Sequence, residues 1–307
     1  MKQFLLLCTI FLLSFSHLSH AHNGAVAIAV PVEGIIIDGD LSDWPEGMRL
    51  YPTARVLIGD KPKDEEDFQG SFRIGYNAAE NALYLAVEMH DQSIVLEGSS
   101  DYDRDGVALY LDLNHGERTV ESGTYTAFGT RKGLLGPGIV WGDTKVGIQR
   151  GEGVHRYEWR IDVEAQIRGK VHLRPATSLG LDIVLVDQDE DASYSWIAWG
   201  PNWSKKFSTH MGDVVLLPAD AGTGSVKGRA LWETGEEVVG AGVQLTSSRD
   251  SALWVRTITD SLGIFSVEMP EGRYRLVPLW RGKKGQPVEV ELRRGGEVEV
   301  ELVVRLS

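Results

Sequence analysis

The sequence predicts an all-β protein, two β-sandwich domains in tandem. Three observations carry this. Apolar and polar residues alternate with period two from residue 25 onward. Clusters of Gly, Asn and Asp break the alternation at short intervals. No apolar stripe of helical period runs beyond about two turns. The length, 307 residues, is room for about two domains, and 42% hydrophobic with 24% charged residues is an ordinary globular balance.

The first element is a leader. Met1-Lys2 is a short basic start, and Phe4–Phe15 is an apolar run too short to span a bilayer. Ser19-His20-Ala21 supplies small residues at the −3 and −1 positions of a cleavage site. Residues 1–21 therefore read as a secretory signal peptide, which predicts a secreted or periplasmic protein. Cleavage after Ala21 removes Lys2 and the single cysteine, Cys8, and takes the formal charge from −13 to −14. So acidic a chain is repelled by phosphate backbones, which argues against a nucleic-acid partner. No later segment is apolar enough to insert into a membrane. Without cysteine there is no disulfide or thiolate metal site, and each domain is expected to stand on its own core.

The first sandwich is expected over 22–218. Its strands read as 71–76, 82–89, 107–112, 156–163 and 180–186, with 163–168 as a short helix. Small and polar residues at 219–224 read as a linker. The second sandwich occupies 225–307, with seven short strand candidates. Its last two, Pro287–Leu292 and Val298–Val304, are expected as neighbours that turn glutamates to solvent, a device against edge pairing.

Four landmarks give a family resemblance. Residues 37–44 read Ile-Asp-Gly-Asp-Leu-Ser-Asp-Trp. Asp105-Gly-Val-Ala-Leu-Tyr-Leu-Asp112 follows a strand containing Tyr84, then come Trp159-Arg-Ile-Asp162 and a closing Trp196, Trp199, Phe207 and Gly212–Leu217. In this order they resemble the family 9 carbohydrate-binding modules, which are related to DOMON domains. The run Thr259-Asp-Ser-Leu-Gly-Ile-Phe to Pro-Glu-Gly-Arg-Tyr-Arg-Leu276 resembles the carboxypeptidase regulatory-like (prealbumin-like) domains. In it Asp260 and Gly263 make a turn, and Phe265, Val267, Tyr274 and Leu276 point inward.

The first resemblance implies a non-catalytic module for a polysaccharide or oligosaccharide. Sugar rings need aromatic planes to stack on and planar polar groups for their hydroxyls. Tyr102, Trp141, Trp199 and Trp203 are the candidate planes. Xylanase-borne members clamp a terminal sugar between two Trp; Tyr102 stands at the first wall and Trp203 nearest the second. Ala108 stands where those members carry a sugar-binding Glu. Trp196 and Trp199, three apart in a strand, face opposite sides, and Trp44, Trp159 and Trp196 are expected in the core.

The cofactor expected is Ca²⁺. Asp101-Tyr-Asp-Arg-Asp-Gly106 with Asp112 copies the oxygen spacing of a calcium loop, so Asp101, Asp103, Asp105 and Asp112 are the candidate ligands. Asp187-Gln-Asp-Glu-Asp191 is a second acidic cluster. The six histidines after the leader, His22, His90, His115, His155, His172 and His210, show no metal-ligand spacing. Nucleophile-elbow, zincin and P-loop motifs are missing from the sequence, so no enzyme is expected. Two rival readings stand beside sugar binding. One is an extracytoplasmic signalling or docking module with an envelope protein as partner. The other is a haem-binding module, for which Met89, His90 or Met211 would be axial.

Overall fold

The structure, a computed structural model, describes residues 22–100, 103–115, 122–135, 141–166, 171–201 and 211–305. The first sandwich contains β1 (Val26–Pro31), β2 (Tyr51–Thr53), β3 (Arg55–Gly59), β4 (Phe68–Asn77), β5 (Ala82–Asp91), β6 (Gly106–Asp112) and β7 (Ser122–Phe128). It continues with β8 (Arg131–Leu135), β9 (Lys145–Gly151), β10 (Val154–Asp162), the single helical turn α1 (Val163–Gln166), β11 (Ser178–Gln188), β12 (Tyr194–Ala198) and β13 (Gly212–Leu216). The second contains β14 (Thr223–Trp232), β15 (Gly242–Ser247), β16 (Trp254–Ile258), β17 (Ile264–Pro270), β18 (Gly272–Trp280), β19 (Lys283–Lys284), β20 (Val288–Leu292) and β21 (Glu297–Val304). The chain is all-β, as its period-two pattern predicts.

Strand β1 joins the two layers of the first sandwich. Val26–Ala29 pair in parallel with β13, then Val30 and Pro31 cross to pair with β4. One layer runs β8-β7-β6-β11-β13-β1 and the other β1-β4-β5-β10-β9. Alternate residues face the space between them: Val107, Leu109 and Leu111 from β6, Leu83, Leu85 and Val87 from β5, Tyr157 and Trp159 from β10. All are buried, as close packing between sheets requires.

The segment 32–48 covers the other face of the second layer, where Val32 and Trp44 pack on Ala82, Tyr84 and Ala86. The Ile37–Trp44 motif has a definite task there. Glu158 is fully buried on β10, and a buried carboxylate must be hydrogen-bonded. The Trp44 indole Nε1 donates to Glu158 Oε1 at 2.6 Å, and the backbone N–H groups of Asp38 and Gly39 donate to Oε2 at 3.1 and 2.6 Å. Gly39 sits at φ +91°, and a Cβ there would lie 2.5 Å from the Gln149 nitrogen. Glycine is required by both the conformation and the space. Burial still lifts the Glu158 pKa, with the Trp44 bond acting against it.

In the second sandwich β17-β14-β21 face a sheet built on β16-β15-β18. Asp260 Oδ1 accepts from the N–H groups of Leu262 and Ile264, making the expected turn. Phe265, Val267, Tyr274 and Leu276 are buried, as expected. Three expectations are corrected. Strands β20 and β21 are not neighbours: β20 pairs with β18 and β21 pairs in parallel with β14, although their glutamates do face solvent. Strand β14 starts at Thr223, inside the stretch expected as linker. The cores are also not independent. Ile28 of β1 and Val215 of β13 turn away from the first core and pack among Val243, Val255 and Val267 of the second sandwich.

Replacing Trp44 with Phe keeps the ring but leaves Glu158 Oε1 without its donor. The expected loss is about 2 kcal/mol in urea unfolding. A loss below about 0.5 kcal/mol would show that the motif does not act through Glu158.

Candidate functional site

Strand β6 presents Gly106, Ala108, Tyr110 and Asp112 on the face opposite the core. Its cross-strand partners set the surroundings. Phe128, Gly106, Val186 and Trp196 lie in one row across β7, β6, β11 and β12, and Thr126, Ala108, Val184 and Ala198 in the next. The floor is small and apolar, with Ala108, Val184, Val186 and Ala198 buried. Leu57, Tyr110 and Trp196 are half-buried around it. A Cβ on Gly106 would lie 2.5 Å from Phe128 Cδ1, so glycine lets the Phe128 ring lie down on this floor. The surface suits an apolar plane more than hydroxyls, since Ala108 adds no polar group.

At the Gly106 end of the strand, carboxylates from three strand termini meet. Asp91 ends β5, Asp105 precedes β6 and Asp187 lies near the end of β11. All three are buried. Asp105 Oδ2 accepts from the Val95 N–H at 2.6 Å, its Oδ1 from the Gln188 N–H at 2.7 Å, and Asp91 Oδ1 from the Ser93 N–H at 2.7 Å. Asp91 Oδ2, Asp187 Oδ1 and both ring nitrogens of His155 are buried with no hydrogen-bond partner. One ligand atom each of Asp91, Asp105 and His155 fall within 4.8 Å of one another.

The electrostatics follow from this packing. Burial, then repulsion from neighbouring carboxylates, lifts Asp105 to about 8 and Asp187 to about 8. Asp91 rises to about 7 by burial, with repulsion from Asp189 and Asp67 acting in the same direction. His155 falls to about 4, through burial and then the nearby Arg150 cation. Such a group can hold protons or a cation in common, but not several free charges.

The opposite end of the sandwich carries a second polar cluster. His22 Nδ1 and His115 Nε2 (the latter at 2.9 Å) both meet Asp213 Oδ1. The Arg256 N–H of β16 donates to Asp213 Oδ2 at 2.6 Å. Burial works against charge on Asp213, yet the two imidazoles hold its pKa well below the usual carboxylate range. The histidines have no telling spacing in sequence, 93 positions apart as 22 and 115, but the fold brings them together.

The sequence-predicted residues fare differently. Tyr102, Trp203 and Asp101 lie outside the described residues. Trp141 is 37% exposed before β9. Its neighbour Gly142 sits against Asp162, at the end of β10 away from Val154, whereas Asp105 lies at the Val154 end. Trp199 is corrected: it is 8% exposed and its ring meets Phe72 and Tyr51 edge-on inside the core, leaving no face for a sugar. Trp196, expected in the core, is the one that faces outward, while Trp44 and Trp159 are buried as expected. The calcium loop is corrected as well. Asp105 and Asp112 bracket β6, roughly 20 Å apart. Asp112 Oδ1 accepts from the Asn114 N–H, and exposed Asp103 accepts from Ser99 and Ser100. Instead Asp105 joins Asp187 of the second acidic run. Asp91 and His155 were missed; the signal for Asp91 was a carboxylate closing an apolar strand.

No helix among the described residues is long and apolar enough to cross a membrane. No curated protein matches the chain significantly. Two solved structures are similar in fold, both of a carbohydrate binding module family 9 from Caldicellulosiruptor kristjanssonii. The complex with cellotriose gives a TM-score of 0.53 at 15% identity, covering 63% of this chain and 94% of that one. The complex with glucose gives 0.54 at 15% identity, covering 64% and 98%. The family model described as carbohydrate family 9 binding domain-like matches residues 37–218. This stretch holds the Glu158 cap, the β6 face and the acidic end, and by it the chain belongs to the carbohydrate family 9 binding domain-like family.

Proposed function

We propose that the protein is an exported, non-catalytic module that binds a polysaccharide or its chain end on the outward face of β6, β11 and β12. The observation that carries this is the small apolar floor, Ala108, Val184 and Ala198 with Gly106 in the adjoining row, bordered by half-buried Tyr110 of the motif strand β6 and Trp196 of β12. Phe128 lies over the Gly106 side of this floor, and half-buried Tyr110 and Trp196 at its border offer a sugar ring a stacking surface. Trp141, exposed before β9, serves as a separate plane in this reading. The family neighbours complexed with cellotriose and glucose support a glucan as the first ligand to try. With Ala108 at the motif position, affinity rests on stacking.

The acidic end is proposed as a calcium site. Its oxygens fit a hard cation: Asp91, Asp105 and Asp187 are buried where three strand termini meet, and Asp91 Oδ2 and Asp187 Oδ1 have no hydrogen-bond partner. A bound ion would supply the positive charge that lets these groups ionise together. It would thereby fix the 92–105 connection to the end of β11.

Two outcomes test these proposals. In affinity electrophoresis the folded protein is expected to be retarded by a soluble glucan, with a dissociation constant of about 10–200 μM. Trp196→Ala should weaken binding about tenfold or more with the circular dichroism spectrum of the folded protein retained. No retardation by any plant or microbial polysaccharide would contradict the sugar reading.

The second concerns pH. Without a cation, Asp91, Asp105 and Asp187 keep protons in the folded state up to about 7, 8 and 8. In the unfolded chain they release them near pH ~4. The folded state binds more protons across this window, so stability falls as pH rises from about 4 to 8. Chelator-treated protein should melt at a lower temperature at pH ~8 than at pH ~5. Calcium should raise the melting temperature more at the higher pH, and Asp187→Asn should reduce both effects. A calcium response that is equal at both pH values, or none, would contradict the site.

A further inference from the structure

We propose that His22, His115 and Asp213 form a copper(II) site whose fourth ligand is the α-amino group released by cleavage after Ala21. The site is separate from the sugar face and the acidic end. It lies at the opposite end of the first sandwich, against the second.

Three of the four proposed ligand atoms converge in the structure, and the fourth follows from chelate geometry. A histidine at a chain start can close a six-membered chelate ring on a metal through its amino nitrogen and Nδ1, but not through the distant Nε2. In the structure Nδ1 of His22 is the atom turned inward, toward Asp213 Oδ1. His115 reaches the same oxygen with Nε2, and the three ligand atoms lie within 4.8 Å of one another. Nitrogens 2.0–2.1 Å from a shared ion fit that spacing with small side-chain shifts. The other ring nitrogens, His22 Nε2 and His115 Nδ1, are buried without partners, so no hydrogen bond turns either ring elsewhere.

The surroundings hold the ligands in place. Asp213 Oδ2 is taken by the Arg256 N–H, which leaves Oδ1 for the imidazoles. Trp254 closes one side, with its ring centroid 4.5 Å from that of His22 and 4.3 Å from that of His115. Asn23 anchors the chain start through Nδ2 to Asp182 Oδ2 at 2.8 Å and Oδ1 from the Ala25 N–H at 2.9 Å. A cavity of about 210 Å³, lined in part by His115, His172 and Trp254, gives an approach from solvent. Two imidazoles, an amine and one carboxylate are a nitrogen-rich set. Among divalent first-row ions it favours copper, in tetragonal geometry. The inference rests on the export reading, since cleavage after Ala21 is what frees the amine.

The test uses the full precursor, exported by a bacterial host and purified from the periplasm, with the start at His22 verified by intact mass. After metal removal, Cu(II) is titrated by calorimetry and electron paramagnetic resonance. One tight equivalent with nitrogen hyperfine structure is expected. His115→Ala should weaken it about 100-fold, and a Gly-Pro extension ahead of His22, which moves the amine away and offers no proline N–H to bind in its place, about tenfold or more, with circular dichroism unchanged in both. Absence of a tight equivalent in the parent protein, or equal affinity in His115→Ala, would overturn the site. Equal affinity in the Gly-Pro-extended chain would overturn the amine ligand and with it the proposed four-ligand set.

Discussion

The first sandwich buries more carboxylate than an apolar core can hold uncompensated, and the way each charge is met sorts scaffold from site. A carboxylate removed from water needs donors, a counter-charge or a proton. Glu158 is met by an indole and two backbone N–H groups, and Asp182 by Asn23 and by the N–H groups of Ile183 and Gly200. Those two are closed arrangements. Asp213 is met by two imidazoles and the Arg256 N–H, whereas Asp91 and Asp105 have, among the described residues, only backbone N–H donors and, with Asp187, repel one another. The latter two arrangements, at opposite ends of the sandwich, are the ones with chemistry left over.

This separates what the family signature does from what the protein binds. The Ile37–Trp44 motif is a cap for one buried glutamate, and its Gly39 and Trp44 are explained by that geometry. The β6 motif does two things at once. Its inward residues, Val107, Leu109 and Leu111, build the core, while its outward residues set the floor of the proposed sugar face. Ala108 at the centre of that floor lies outside the main core, so its identity can change without touching the packing between the sheets.

Much of the fold was legible because period-two alternation reports which residues face a core. It does not report which strand lies beside which. That is why the like patterns of β20 and β21 point to paired strands, whereas the two belong to opposite sheets. Phe265, Tyr274 and Trp159 follow from alternation and turn chemistry alone. Parity also showed that Trp196 and Trp199 face opposite ways, but which side holds the core depends on β11 packing between β6 and β12. The metal-ligand reading failed for a related reason. Spacing in a calcium loop presumes a local turn, and here Asp105 and Asp112 bracket a straight strand. The residues that do assemble, Asp91 with Asp105 and Asp187, or His22 with His115, come from distant strand ends that only the sheet order brings together.

The two sandwiches share Ile28 and Val215 in one core, so the second is fixed against the end of the first where His22 and Asp213 lie. Its Trp254 and Arg256 complete the surroundings of that cluster, which gives the second sandwich a role beyond that of a spacer. The central claim remains that the unmatched buried carboxylates of the first sandwich are balanced by a cation. Elemental analysis of protein purified without chelators tests this most directly. The account predicts a stoichiometric calcium ion that is lost in Asp105→Asn; protein free of metal yet fully folded at mildly alkaline pH would contradict it.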